Sequence, residues 1–196
     1  MDKIIVVASG NAGKIVQIKE SLGNLGVQVR SMKEFGIEEP VENGKSYSEN
    51  ALIKARNVFE RCKLPTLADD SGFELEELNK FPGLVSGRFA DACGGYENSF
   101  DVLEKCITQN RSAKFCTSMA FVFEKNGEVI EKIFDGNIHG KFVYPPRGNK
   151  GFGYCPCFQP DGYSKTFGEM DDELRENMNH RAIALEKFSN FFKNNF

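Results

Sequence analysis

Ile4-Ile5-Val6-Val7-Ala8, followed by Ser9-Gly10-Asn11-Ala12-Gly13-Lys14, decides the fold. An unbroken apolar run without polar alternation predicts a strand buried on both faces, the habit of a parallel sheet flanked by helices. The residues after it predict a loop that enters a helix over about 12–25. Gly10 and Gly13 let a ligand approach the backbone, and the helix N-terminus offers N–H groups to an anion. Asn11 can donate through its amide, and Lys14 adds a positive charge. The spacing is too short for a Walker loop, which places four residues between Gly and Gly-Lys. An ordinary strand-to-helix turn is the plain alternative.

Downstream, Ser46-Tyr47-Ser48-Glu49 fits a capping box, with Ser46 as cap and Glu49 reaching back. Ala51, Leu52, Ala55, Val58 and Phe59 form an apolar stripe for the core, while Asn50 and Lys54, four apart, share another face. Thr66 to Asp69 predicts a second buried strand, and Asp69-Asp70-Ser71-Gly72 reads as its end, closed by the glycine. Two adjacent carboxylates cost free energy unless something cationic neutralises them. A divalent metal carrying a polyphosphate meets that need. Neighbours on a strand point to opposite faces, so the two acids have unequal roles. Glu49 serves as a cap, as a metal ligand, or as both. Lys54 is a phosphate ligand or a solvated helix lysine.

Asp101 to Thr108 predicts a helix, and Lys114 to Phe123 and Glu128 to Phe134 predict strands joined by an Asn126-Gly127 hairpin turn. The sheet is therefore mixed and the class α/β. Pro145 to Gly162 predicts a long loop of the kind that binds or covers a ligand. Within it, Gly151-Phe152-Gly153-Tyr154 presents two rings between glycines, suited either to a planar base or to anchoring the loop on the sheet. Asn179 is a good cap that leaves His180 and Arg181 in a first helical turn, where basic groups favour an anion or acceptor nearby. Ala184, Leu185, Phe188, Phe191 and Phe192 give the last helix its apolar stripe.

The 196 residues carry a net charge of −3, which leaves no broad basic face for a nucleic-acid polymer. No stretch has the length of a membrane span, and Met1 to Ala8 is too short for a secretory signal, which favours the cytoplasm. The composition suits one domain with a substantial core. Six cysteines are scattered, with Cys155-Pro156-Cys157 the close pair, and do not form a small disulfide scaffold.

In order along the chain stand Ser-Gly-Asn-Ala-Gly-Lys at 9–14, Ser-Glu-Asn-Ala-Leu-Ile-Lys-Ala at 48–55, Ala-Asp-Asp-Ser-Gly at 68–72 and Pro-Gly-Leu-Val-Ser-Gly-Arg-Phe-Ala at 82–90. Gly-Phe-Gly-Tyr-Cys-Pro-Cys-Phe at 151–158, Lys-Thr-Phe-Gly-Glu-Met at 165–170 and Asn-His-Arg-Ala at 179–182 follow. With these motifs the chain resembles the inosine triphosphate pyrophosphatases, house-cleaning enzymes for non-standard purine nucleotides, over nearly its whole length. The resemblance implies one pyrophosphatase domain over 1–196. It would be an elongated, two-lobed α/β fold with a long central mixed sheet flanked by helices, a cleft between the lobes, and a homodimer. It implies hydrolysis of ITP, dITP or XTP to the monophosphate and pyrophosphate with magnesium. Asp70 matches the catalytic, metal-binding aspartate and Glu49 a second metal ligand. Ser9, Gly10, Asn11, Ala12, Gly13, Lys14, Lys54 and Ser71 would hold the triphosphate. Phe152, Gly153, Tyr154, Cys155, Arg175, His180 and Arg181 would surround the base.

Cys155, Arg175 and Asn179 depart from the usual Asp, Lys and Ser of that family. Asp to Cys replaces a strong acceptor by a weak one, at the base end. The expected consequence is weaker refusal of guanosine than in relatives with Asp. Steady-state kinetics on inosine and guanosine triphosphates in Cys155→Asp tests it, and an unchanged ratio rejects it. Rival readings are a pyrophosphatase of different or relaxed base specificity, a nucleotide-binding module without catalysis, and a redox or metal protein built on Cys155 and Cys157.

Overall fold

The opening apolar run is strand β1 (Lys3–Val7) of a computed structural model that describes residues 3–196, the side chains of Ala12 and Asn24 excepted. Met1 and Asp2 lie outside the described residues. β1 pairs in parallel with β2 (Val27–Ser31), Lys3 opposite Val27, and with β3 (Thr66–Leu75), Val6 opposite Thr66. Helix α1 (Ala12–Leu22) makes the first crossover and runs into a 3-10 turn at Gly23–Leu25; α2 (Tyr47–Cys62) makes the second. Ile5, Val6 and Val7 are fully buried, as an unbroken apolar strand requires.

β4 (Pro82–Gly83) pairs antiparallel with β3. Helices α3 (Ser86–Ala92) and α4 (Tyr96–Cys106) lead to β5 (Ser112–Lys125) and β6 (Glu128–Phe142). Between β5 and β6, Asn126 and Gly127 both take positive φ (55° and 81°), the hairpin turn that their sequence predicts. β7 (Phe158–Pro160) pairs antiparallel with β6, and α5 (Asp172–Met178) and α6 (His180–Asn195) end the chain. The strands order as β2-β1-β3-β5-β6-β7, with β4 on β3. This is the mixed sheet of an α/β fold. Among the described residues no helix is long and apolar enough to cross a membrane.

Three expectations need correction. The acid pair lies inside β3 rather than at its end: Gly72 does not stop the strand, because Phe73 and Leu75 are fully buried and β4 pairs with Phe73 and Glu74. The predicted loop at 145–162 is interrupted by a 3-10 turn at Cys155–Cys157 and by β7, short elements held by pairing rather than by periodicity. α4 begins at Tyr96, ahead of the predicted 101, with Phe100 and Leu103 as its buried stripe.

The chain forms two compact units. One comprises Met1–Asp70, Thr117–Gly136 and Ala182–Phe196; the other comprises Ser71–Cys116 and Asn137–Arg181. In the first, Ile18, Leu22, Ala184, Leu185, Phe188 and Phe192 pack with Ile5, Val7 and Leu67. The apolar stripe of α2 (Ala51, Ala55, Val58, Phe59) packs with Val6, Ala8 and Ala68. These two clusters hold alternate residues of β1 and β3, so each covers one face of the sheet. In the second unit the core is rich in rings: Phe73, Phe100, Phe115, Phe142, Tyr154, Phe158 and Phe167.

Candidate active site

In the first unit, burial of the acid pair is possible because α1 and α2 each deliver a lysine. Asp69 Oδ2 meets Lys14 Nζ at 3.0 Å, its side chain wholly covered. Asn11 caps α1 by accepting from Lys14 N–H at 3.2 Å, which fixes the turn from which Lys14 projects. Asp70 turns to α2 instead, with Oδ2 accepting from Asn50 Nδ2 at 3.0 Å and Oδ1 at 3.6 Å from Lys54 Nζ. Asn50 and Lys54 are buried together on one face of α2, as their spacing predicts. The acids therefore have different partners on opposite faces.

Lys54 has a closer partner that sequence reading missed. Glu42 Oε1 lies 2.7 Å from Lys54 Nζ. Burial alone would lower the Lys54 pKa, but the charges of Asp69, Asp70 and Glu42 outweigh it and hold the pKa above the ordinary lysine range. Asp70 balances the other way: burial raises its carboxyl above the usual carboxylate range, and the Lys54 charge and the Asn50 amide offset this only in part. The asymmetry follows from numbers: Lys54 feels three carboxylates, whereas burial of Asp70 is opposed mainly by one ammonium and one amide.

Glu49 fulfils half of its predicted capping role. Its N–H donates to Ser46 Oγ at 3.2 Å, but its carboxylate accepts from Lys45 N–H at 2.7 Å rather than from the cap residue. No hydrogen bond or ion pair joins Glu49 to Asp70 among the described residues, and Glu49 is exposed. The carboxylate that converges on Lys54 with Asp70 is Glu42, in a polar stretch with no periodicity to single it out.

Two ammoniums (Lys14 and Lys54) thus face three carboxylates (Glu42, Asp69 and Asp70). An excess of negative charge with all-oxygen donors fits a hard divalent cation such as magnesium. Among the described residues no three His, Cys, Asp or Glu side chains form a ready-made cage. Magnesium commonly takes only one or two carboxylates and completes its shell with water and phosphate oxygens, so Glu42 and Asp70 suffice in kind.

The glycine loop is occupied from within. Gly10 N–H donates to Glu39 Oε1 at 2.6 Å, and Lys33 Nζ donates to Gly10 O at 3.4 Å. A Cβ on Gly10 would come within 3.2 Å of the Glu39 carboxyl, so a glycine suits this approach. Ser9 is buried, and its Oγ accepts from Asn11 N–H at 3.2 Å. Ala12 and Gly13 form the first turn of α1; the side chain of Ala12 lies outside the described residues.

In the second unit, Arg181 touches both Ser71 and Phe152, while His180 and Arg175 are held by other partners. Arg181 is buried, with Nη2 donating to Ser71 Oγ at 3.5 Å and its guanidinium 6.0 Å from the Phe152 ring centroid. His180 stacks on Phe115, centroids 4.9 Å apart at 9°. Arg175 is buried between Asp172 (2.8 Å) and Glu176 (3.0 Å). Gly151, at φ 73°, leaves room for Cys155: a Cβ there would lie 2.8 Å from Cys155 Sγ and 3.4 Å from the Arg175 guanidinium carbon.

The two rings of the loop separate in role. Phe152 is 54% exposed and keeps a free face, with Gly153 beside it in the left-handed region. Tyr154 is not available to a ligand through its ring. It stacks on Phe73 (4.8 Å, 11°), and its hydroxyl donates to Ser86 O at 3.0 Å. Burial pushes the thiols of Cys155 and Cys157 up, disfavouring the thiolate that redox or nucleophilic chemistry requires.

Comparison with known proteins gives a consistent result. A profile described as the Ham1 family matches residues 5–191. The protein named dITP/XTP pyrophosphatase of Dictyoglomus thermophilum is 40% identical, with 97% of this chain and 95% of that protein covered. The one from Rhizobium meliloti is 36% identical, with 96% and 95% covered. Among solved structures, a HAM1 protein from Coxiella burnetii superposes with a TM-score of 0.87 at 32% identity, covering 98% of this chain and 99% of that one. The Staphylococcus aureus Ham1 protein gives 0.88 at 28% identity, covering 99% and 100%.

Proposed function

The chain belongs to the Ham1 family, and from that premise we propose that it hydrolyses non-standard purine nucleoside triphosphates (dITP, ITP, XTP) to the monophosphate and pyrophosphate. One observation carries the chemical part: Glu42 and Asp70 converge on the buried Lys54, while Lys14 neutralises Asp69. Such a set suits a metal-bound polyphosphate. In this reading the loop 9–14, with Lys14, Lys54 and Ser71, holds the phosphate tail. Phe152, Gly153, Cys155, Arg175, His180 and Arg181 receive the base end, Tyr154 supporting them from the core. A homodimer and a cytoplasmic setting belong to the same reading, and light scattering in solution checks the first.

Magnesium, held by Asp70 together with Glu49 or Glu42, would draw charge from the phosphate oxygens when bound. Asp70 Oδ1, not engaged by Asn50, takes the proton of a water whose oxygen attacks the α-phosphorus; the bond to the bridging oxygen of the β-phosphate breaks and pyrophosphate leaves. A carboxylate held above its ordinary range is a better base than a solvated one. Lys14 and Lys54 stabilise charge growing on the phosphate oxygens in the transition state. A 6-oxopurine offers O6 as an acceptor to Arg175 or His180, whereas adenine presents an amino donor and leaves those donors unpaired.

Pyrophosphate release across a panel of nucleoside triphosphates with magnesium tests the proposal, and equal rates for inosine and adenosine triphosphates would overturn it. A phosphate that takes the Gly10 N–H must first displace Glu39. Glu39→Gln is therefore expected to lower KM by roughly threefold to tenfold, the value of weakening one charge-assisted hydrogen bond, with kcat unchanged. An unchanged or higher KM would show that Glu39 shapes the loop rather than occupying it.

A further inference from the structure

We infer that Glu176 is a positioning residue for base selection, holding Arg175 and Asn179 in the arrangement that favours a 6-oxopurine over adenine. This rests on the reading that Arg175 and its neighbours receive the base. The carboxylate of Glu176 ties two buried groups at once. Oε1 accepts from Arg175 Nε at 3.2 Å and Nη2 at 3.0 Å, and Oε2 accepts from Asn179 Nδ2 at 3.1 Å. Arg175 and Asn179 are both nearly covered, whereas Glu176 is partly open to water. Asn179 is also the C-cap of α5, its N–H donating to Arg175 O at 3.0 Å, and it directly precedes His180 and Arg181. One side chain therefore fixes the guanidinium and the junction from which the next two basic residues emerge.

The chemistry follows from the donor inventory. A guanidinium carries five N–H donors in a rigid fork. Glu176 takes Nε and Nη2 on one edge and Asp172 faces Nη1, so the plane of the fork is set and its remaining donors are presented in a fixed direction. Such a fork matches the paired acceptors O6 and N7 of a 6-oxopurine, and adenine opposes it with a donor at position 6. Cys155, beside Arg175, is a buried neutral thiol and supplies only a weak partner. Orientation of Arg175 therefore depends on its carboxylate neighbours. Without Glu176 the long side chain regains rotamers and the fork loses its preset direction.

The test is steady-state kinetics of the full chain on inosine, xanthosine, guanosine and adenosine triphosphates, for wild type, Glu176→Ala and Glu176→Gln. Glu176→Ala is expected to lower the inosine-to-adenosine ratio of kcat/KM by about tenfold, the scale of one oriented hydrogen-bonding pair. The loss falls on KM for inosine triphosphate, with kcat and Tm close to wild type. Glu176→Gln keeps one acceptor for Arg175 and is expected to restore part of the ratio. A wild type that releases no pyrophosphate, or shows no preference among bases, overturns the functional reading itself. A selective wild type with an unchanged ratio in Glu176→Ala overturns this inference alone. An equal fall for all four substrates with a lowered Tm marks a purely structural role and also overturns it.

Discussion

Asp70→Asn is expected to lose about 10³-fold in kcat, within the range for removing a positioned general base, while becoming more stable at neutral pH. The two effects share a cause. Asn preserves the size of the side chain and an oxygen to accept from Asn50, so the local packing survives. What disappears is the proton acceptor and the negative charge. Burial raises the Asp70 carboxyl above its unfolded value, and the Lys54 charge and Asn50 amide recover only part of that. For an acid with a raised folded pKa, the ionised form is disfavoured in the folded state. Its penalty is absent below the unfolded carboxylate pKa and reaches full size as pH rises through the folded pKa. The stability gain of Asp70→Asn should follow that curve, present at neutral pH and gone in acid. Urea denaturation at the two pH values, beside pyrophosphate release, measures both. A variant within about tenfold of wild-type kcat would remove Asp70 from the role of base.

The parts of this molecule legible in its sequence are those where a local rule and the tertiary environment agree. The Ile4–Ala8 run, the Asn126-Gly127 turn and the stripe from Ala184 to Phe192 each carry their own periodicity or dihedral demand, and each forms as predicted. β3 is harder: Asp-Asp-Ser-Gly has the composition of a turn, and its place in the sheet beside β5, the pairing of Phe73 and Glu74 with β4 and the burial of Phe73 and Leu75 keep it extended. β6 runs past its predicted end because buried Phe134, Gly136, Gly140 and Phe142 alternate with exposed polar residues such as Asp135, Asn137 and Lys141, and two of those buried positions are glycines that carry no apolar signal.

The site divides in the same way. Lys14, Asn50, Lys54 and the unequal acids follow from helix and strand geometry. Glu42 does not, because a carboxylate in an irregular loop has no spacing that ties it to a helix lysine. The nearest available signal was Lys54 itself, whose burial demands more negative charge than Asp70 alone provides. Tyr154 takes the second of its two sequence readings, anchoring the loop on the core. An aromatic between glycines reads alike whether its face meets a ligand or a core, and the core at Phe73 lies far away in sequence.

Lys54→Met is the sharper test of the charge arrangement, and it is expected to lower kcat/KM by about 10²–10³-fold, the effect of removing one group aimed at developing transition-state charge. Met retains much of the apolar stem that packs against α2 while deleting the ammonium that Glu42 and Asp70 share. The stability cost is expected near 2 kcal/mol, below the roughly 3–5 kcal/mol for breaking a fully buried pair, because the partly exposed Glu42 can turn toward water. The pH dependence separates a phosphate-binding lysine from a structural one. Lys54 holds the Asp70 carboxyl down against burial, so its removal raises the Asp70 pKa further. The acid limb of the pH–rate profile, where Asp70 must lose its proton to act, then moves to higher pH in the variant. Lys54's own contribution to stability is complete at neutral pH, since its folded pKa is raised, and is lost only as pH climbs through that value. Lys54→Arg keeps the charge but replaces a compact ammonium with a wide fork, and should recover the position of the acid limb more fully than kcat/KM. A Lys54→Met enzyme with normal kcat/KM and an unmoved acid limb would show that Lys54 serves only to neutralise buried acids.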